Sequence, residues 1–320
     1  MPSIRALLLI ALPFLHSGPL GAEAAPSIRV GVLAFGTLSW ELEAIRGEGL
    51  DRAQGIAIEA VPLASAEAGK IALLGSRVDL IVNDWLWAAS ERERGQDLVF
   101  YPYSASHGAL IVPAGSPIHQ IADLKGRRLG IAGGGLDKNW LLLRALAQKV
   151  ANLDLDSAVD KVFAAPPLLD QQFRRGQLDA VLNYWNYAAK LEAAGYQKML
   201  DGRQILRGLG ITVEVPVLGY IFRKGFANAH PLALTGFLRA ADQAKERICA
   251  SDAVWQKLSP LTHEADETVR AALRRHYCEG RIKHFGAAEQ AALGEIYALV
   301  QKAAGKPASG TLPQDLFWHQ

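Results

Sequence analysis

Short apolar runs rich in β-branched residues alternate with longer amphipathic stretches through the first part of the chain. Ile28 to Ala34, Ile56 to Val61, Asp79 to Val82, Leu98 to Tyr101, Arg128 to Ala132, Val162 to Ala164 and Asp179 to Leu182 have the length and residue types of strands. Between them, Trp40 to Arg52, Ala66 to Leu74, Lys138 to Lys149 and Leu168 to Arg175 carry apolar residues at helical spacing. Strands alternating with helices predict an α/β fold built on parallel sheet. Gly210 to Phe222 predicts a long extended segment. Helices then dominate, over Pro231 to Ile248, Ala253 to Leu258, Asp266 to Tyr277 and Ala287 to Lys302.

Two stretches are copies of one another. Arg29-Val30-Gly31-Val32, a turn at Gly36 and a helix with Trp40 near its start correspond to Arg128-Leu129-Gly130-Ile131, the Gly133-Gly134-Gly135 turn and Trp140. Asp79-Leu80-Ile81-Val82-Asn83-Asp84-Trp85 corresponds to Asp179-Ala180-Val181-Leu182-Asn183-Tyr184-Trp185. Only seven Trp are present, yet Trp40 and Trp140, and Trp85 and Trp185, share one offset of 100. Ligands of open α/β sheets bind outside the carboxyl ends of strands. Two similar lobes facing each other would therefore set Asn83, Asp84 and Trp85 opposite Asn183, Tyr184 and Trp185 across a cleft. The alternative is that these Trp are core residues, as Trp usually is.

No third copy follows Tyr196. The chain is expected to cross back and finish the first lobe, with Tyr103 to Val112, carrying Ser104, Ser106 and His107, as the outward crossover and the segment before Phe222 as the return. Two crossings make a hinge. The expected division is 25–104 and 215–303 for the first lobe, 105–214 for the second, and a tail over 304–320.

The remaining composition narrows the class. The 320 residues are 50% hydrophobic and 21% charged, with 34 Lys plus Arg against 32 Asp plus Glu and a formal charge of +2. That is an ordinary folded chain without the basic stripe that a nucleic-acid partner needs. Arg5, the apolar run Ala6 to Leu15 and the small residues ending Ala22-Glu23-Ala24 form the pattern of an export signal cleaved after residue 24. No cysteine stands at the cleavage point, which favours a soluble exported protein over a lipid-anchored one. Cys249 and Cys278 are the only cysteines. In an oxidising compartment they are candidates for a disulfide, with free thiols, or a metal site including His276 and His284, as alternatives; the spacing matches no common zinc pattern.

Gly133-Gly134-Gly135 between strand and helix can bring backbone N–H groups and a positive helix end toward a ligand. It is not a dinucleotide motif, because Lys138 stands where the third glycine would be, and no G-x4-G-K-[ST] occurs. Asp137 sits at the helix entrance, where an acid caps. Asp84 and Glu214 interrupt apolar or strand-like runs and are candidates for ligand contact or for ion pairs. With Trp40, Trp85, Trp185 and Tyr184 they suggest a pocket with flat walls and acceptor groups, suited to a planar, amine-bearing or cationic ligand. His263-Glu264-Ala265-Asp266-Glu267 falls short of H-E-x-x-H, and G-x-S-x-G, S-x-x-K and C-x-x-C are absent. The expectation is a binding protein without cofactor or metal.

These residues resemble the solute-binding proteins of ABC importers for nitrate, sulfonates, taurine and thiamine-pyrimidine precursors. The resemblance runs from about Ile28 to Ala303. It rests on the Arg29-to-Gly36 strand and turn, Gly75-Ser-Arg-Val-Asp79 leading into Asn83-Asp84, the Ile121-Ala-Asp-Leu-Lys125-Gly126-Arg-Arg-Leu-Gly-Ile-Ala132-Gly-Gly run, and Gly176-Gln-Leu-Asp179-Ala-Val. It implies the two-lobe, type II periplasmic-binding-protein fold with two crossover strands as hinge. It also implies a periplasmic monomer that passes a small molecule to a permease served by a separate ATPase subunit. Carried onto this chain, the implied ligand-binding positions are Phe35, Thr37 and Trp40; Gly134, Gly135 and Asp137; Asn83 to Trp85; and Asn183 to Trp185. His107 on the crossover and Glu214 complete the candidate set. Anion binders of the group commonly have Ser or Thr at the second helix start. Gly-Gly-Gly-Leu-Asp here weakens the case for nitrate or sulfonate, and the aromatic and acidic residues lean toward a pyrimidine-like or other planar nitrogenous ligand, with a sulfonate-like one as the alternative. An exported enzyme acting on a thiamine-like precursor, and a receptor coupled to a signalling protein, are the competing readings.

Overall fold

The computed structural model describes residues 25–305 and 311–319. The export signal expected over residues 1–24 lies outside them. In chain order the first elements are β1 (Ser27–Leu33), α1 (Leu38–Glu48), α2 (Leu50–Ala53), β2 (Ala57–Leu63), α3 (Ala66–Leu74), β3 (Leu80–Asp84), α4 (Trp85–Glu93) and β4 (Leu98–Ser104). There follow β5 (Ala109–Val112), β6 (Arg128–Ala132), α5 (Lys138–Ala151), α6 (Leu155–Ala158), β7 (Asp160–Ala164), α7 (Pro166–Arg174), β8 (Ala180–Asn183), α8 (Trp185–Ala193), β9 (Gln197–Asp201) and α9 (Gly202–Leu209). The chain closes with β10 (Leu218–Arg223), α10 (Lys224–Ala229), α11 (Pro231–Ala250), α12 (Asp252–Leu258), α13 (Glu267–Glu279) and α14 (Ala287–Ala303).

Two five-stranded sheets result, ordered β2-β1-β3-β10-β4 and β7-β6-β8-β5-β9. This is the two-lobe, type II binding-protein architecture. The wholly parallel sheet expected from strand–helix alternation is corrected at one strand of each. Strand β10 runs antiparallel to β3 and β4, and β5 antiparallel to β8 and β9. Both enter their sheet directly from a crossing between the lobes. No crossover helix reverses the chain first, so they run against their neighbours.

The offset of 100 reappears in three dimensions: helices start at 38 and 138, 66 and 166, and 85 and 185. The same contacts secure both copies. Asp79 accepts the backbone N–H of Arg29, and Asp179 that of Arg128, each at 2.8 Å. Gly31 and Gly130 occupy the middle of β1 and β6 because a side chain there would strike Leu63 or Leu178 at 2.7 Å. Helix starts are set by local caps, Ser65 for α3 and Asp266 for α13, with Pro166 and Pro231 opening α7 and α11.

The returning helices do more than complete the first lobe. Helix α13 lies on α8, and α14 lies on α5. One buried cluster joins Trp85 of α4 to Trp140 of α5 and Tyr297 of α14, and a second joins Trp40, Trp185 and Tyr277. The apolar core therefore bridges the lobes on both flanks of the hinge. The segment expected as a tail is also docked: the Trp318 N–H donates to the Phe100 carbonyl at 2.9 Å, beside the edge strand β4. Cys249 and Cys278 form a disulfide, S–S 2.04 Å, tying the end of α11 to the end of α13. The free-thiol and metal alternatives are thereby set aside. No helix among the described residues is long and apolar enough to cross a membrane.

Candidate functional site

The carboxyl ends of β1, β3, β6 and β8 each run into a helix, so four helix starts converge where the lobes face one another. Two are closed by acids: the Asp84 side chain accepts the Leu86 N–H at 2.7 Å at α4, and that of Asp137 accepts the Asn139 N–H at 2.8 Å at α5. The starts of α1 and α8, at Thr37 and Tyr184, have no side-chain cap. The N–H groups of Ser39, Trp40 and Tyr187 turn back onto Gly36, Thr37 and Tyr184 carbonyls, which leaves those of Leu38, Trp185 and Asn186 without a bond among the described residues.

A polar cluster surrounds Gly133, where the second-lobe helix starts meet. This residue has φ +84°, and a methyl group there would stand 2.5 Å from Asp137 Oδ2 and 2.8 Å from the Tyr184 hydroxyl. Both the conformation and the space demand glycine. Asp137 Oδ1 is occupied by the backbone and side-chain amides of Asn139, whereas Oδ2 and the Tyr184 hydroxyl have no hydrogen bond among the described residues. A carboxylate oxygen and a phenol thus face one space. Asp137 is half-buried. Burial, then the charge of Asp84, raises its pKa to about 6, against the opposing pull of Lys138 and Asn139. Burial and the charges of Asp137, Glu67 and Asp84 push the Tyr184 phenol upward, which keeps it a hydrogen-bond donor at neutral pH.

Across the cleft, Lys138 Nζ donates to Asp84 Oδ2 at 2.5 Å and to the Val217 carbonyl at 2.7 Å. The first residue of α5 is thereby held to the opposite lobe and to the segment just before β10. On the other flank, Asn186 Nδ2 donates to the Phe35 carbonyl at 3.3 Å, and Lys190 pairs with Glu264 at 2.9 Å and reaches the Thr262 carbonyl at 2.8 Å. Sequence reasoning missed Lys138, although a signal existed: a lysine in the first turn opposes the helix dipole and needs a nearby acid.

Several expected positions have other roles. Trp85 is 1% exposed and packed between Tyr297 and Lys138, so the expected ligand-facing wall is interior. Trp40 and Trp185 meet edge to face, with ring centres 6.1 Å apart, and form an interlobe contact. Only the Trp185 edge reaches a crevice beside the hinge, lined by Ser106, His107, Glu192 and His276. Asn83 and Asn183 are buried, and their side chains accept the next residue's N–H at 2.7 and 2.9 Å, shaping the turns that aim Asp84 and Tyr184. Thr37 is buried against the Tyr103 hydroxyl at 3.2 Å. Glu214 is exposed and paired with Arg203, away from the cleft centre. His107 lies at the hinge with Nδ1 buried and without a partner among the described residues; burial, then Lys138 and Arg203, lowers its pKa to about 3, so it is neutral. The structure brings together Asp84, Gly133, Asp137, Lys138 and Tyr184, whereas Phe35 meets the other lobe through its carbonyl on Asn186. Among the described residues no group of three or more His, Cys, Asp or Glu could hold a metal.

The family model described as "NMT1/THI5 like" matches residues 52–252, more than half of the chain. The chain belongs to the NMT1/THI5-like family. No curated protein sequence matches it significantly. Solved structures agree on the fold of this NMT1/THI5-like chain. The alkanesulfonate-binding protein SsuA from Xanthomonas axonopodis pv. citri, bound to MOPS, superposes with TM-score 0.69 at 19% identity, covering 93% of this chain and all of that one. The periplasmic aliphatic sulphonate binding protein SsuA from Escherichia coli gives 0.72 at 19% identity, covering 92% of each chain. The periplasmic nitrate-binding protein NrtA from Synechocystis PCC 6803 gives 0.59 at 12%, again covering 92% of each.

Proposed function

We propose that this protein is the substrate-binding subunit of an ABC-type importer, acting in the periplasm and closing two lobes on one small, planar, nitrogen-bearing molecule with an amine or cationic group. The observation that carries the ligand class is the pair of unbonded groups above Gly133, Asp137 Oδ2 and the Tyr184 hydroxyl. A carboxylate beside a phenol suits an N–H-rich donor and repels an anion. Asp137 also occupies the helix start at which a sulfonate or nitrate would be stabilised. The uncapped starts of α1 and α8 complement this by offering N–H donors to a ring nitrogen or carbonyl. Tyr184, with half-buried Phe35 on the facing loop, supplies flat apolar surface.

Ligand bridging Asp137 and Tyr184 of one lobe to the α1 start of the other binds the closed arrangement better and shifts the lobes toward it. The closed form is then recognised by a permease whose ATPase is a separate chain. The protein acts as a monomer and performs no catalysis. The solved neighbours named for sulfonate and nitrate favour a second reading, an anionic ligand on the same fold, against the acids of this cleft.

Native mass spectrometry of co-purified ligand, followed by thermal shift with aminopyrimidines, amines, alkanesulfonates and nitrate, tests the proposal. Stabilisation by the nitrogen bases supports it, and stabilisation by sulfonate or nitrate alone overturns the ligand class.

A further inference from the structure

The second-lobe lip of the cleft carries two apolar side chains that the fold does not use. Leu136 is 78% exposed, and Phe163 at the end of β7 is 44% exposed. They are neighbours through Gly135, since a methyl group on Gly135 would lie 3.7 Å from Phe163 Cζ. Leu136 immediately precedes Asp137, the residue with the unbonded carboxylate oxygen. The internal repeat makes the lip one-sided. At the matching offset the first lobe has Gly36 in place of Leu136, and the partly buried Leu63 in place of Phe163. Leu136 and Phe163 therefore have no exposed apolar counterpart at those two positions of the first copy.

We infer that the ligand is amphiphilic: a nitrogen-bearing head held at Asp137 and Tyr184, with an apolar substituent lying on Leu136 and Phe163. This rests on the ligand class proposed above and extends it. Chain adjacency fixes the orientation. A head bonded to Asp137 Oδ2 and the Tyr184 hydroxyl sits next to Leu136, which directly precedes Asp137, and a substituent on it can lie over Leu136 and Phe163. Covering exposed apolar area there gives affinity that grows with the size of the substituent. A bare small head would leave both side chains in water.

The test is calorimetric titration of the full mature chain with 4-aminopyrimidine and its methyl, propyl and benzyl ring-substituted derivatives, repeated on a Leu136→Ser, Phe163→Ser variant. Both positions are exposed, so the variant keeps its fold, and its thermal midpoint checks this. The expected result is affinity rising about tenfold from the parent to the propyl or benzyl compound, with the increment lost in the variant and parent affinity unchanged. Equal affinity across the series overturns the amphiphilic ligand while leaving the head-group reading intact. An increment that survives in the variant assigns the substituent elsewhere and leaves the lip to a protein partner, which also overturns it. Binding of none of the compounds overturns both.

Discussion

Lys138 and Asp84 form an ion pair between the lobes, Nζ to Oδ2 2.5 Å, in which the lysine is 4% exposed and the aspartate also caps helix α4. A buried lysine needs such a partner, since an unpaired charge there would be strongly destabilising. Its second bond, to the Val217 carbonyl, ties the pair to the returning hinge segment.

Removing the lysine charge should therefore expose the cost of the acid left behind. Lys138→Met is expected to lose about 3 kcal/mol of unfolding free energy in urea. Lys138→Met combined with Asp84→Asn should regain part of it, because asparagine still caps the helix without a charge. A double variant no better than the single one would show that the pair is not the source of the loss.

Trp85 belongs to the core, so Trp85→Ala is expected to cost about 3 to 5 kcal/mol of stability. Differential scanning calorimetry reads this directly. A normal thermal midpoint would return Trp85 to the surface of the cleft.

The repeat and the capping role of Asp137 were legible in the sequence because each depends on local chemistry. Strand composition, glycine where packing is close, and an acid before a helix are all visible in a linear chain. What misled was the pair of strand-end Trp. Asn-x-Trp at a strand end has the position of a ligand wall, but Trp85 and Trp185 each open a helix and point into the seam between lobes, which the helices α13 and α14 close from far along the chain. Of the two readings open for Glu214 the structure shows the ion pair, with Arg203, a partner that the fold of α9 places. Strand β5 was hidden by its brevity, four buried residues following the crossover.

The disulfide joins residues 29 apart, and the loop it closes is expected to contribute about 3 to 4 kcal/mol through the unfolded state. Replacing both cysteines with serine should lower stability by that order. Reduction of the wild type should match the double variant. A double variant as stable as the oxidised protein would contradict this.

Asp137 provides a pH signature in the unliganded protein. Its pKa is about 6 in the fold, above the ordinary carboxylate value in the unfolded chain, so the folded state binds more protons in between and stability falls as pH rises toward 6. Asp137→Asn keeps the cap and removes the charge. Its thermal midpoint should exceed that of wild type by roughly 2 °C at pH 8, with the difference shrinking as pH falls through 6 toward 4. A constant difference across that range would show that the carboxyl is not perturbed.

The most direct test of the ligand class is isothermal titration of 4-aminopyrimidine and of ethanesulfonate into the wild type and Asp137→Asn at pH 7.5. A charge-assisted hydrogen bond to Asp137 predicts that wild type binds the aminopyrimidine in preference, and that the variant binds it at least about tenfold more weakly. Preferential binding of ethanesulfonate, unchanged or strengthened in Asp137→Asn, would contradict the account.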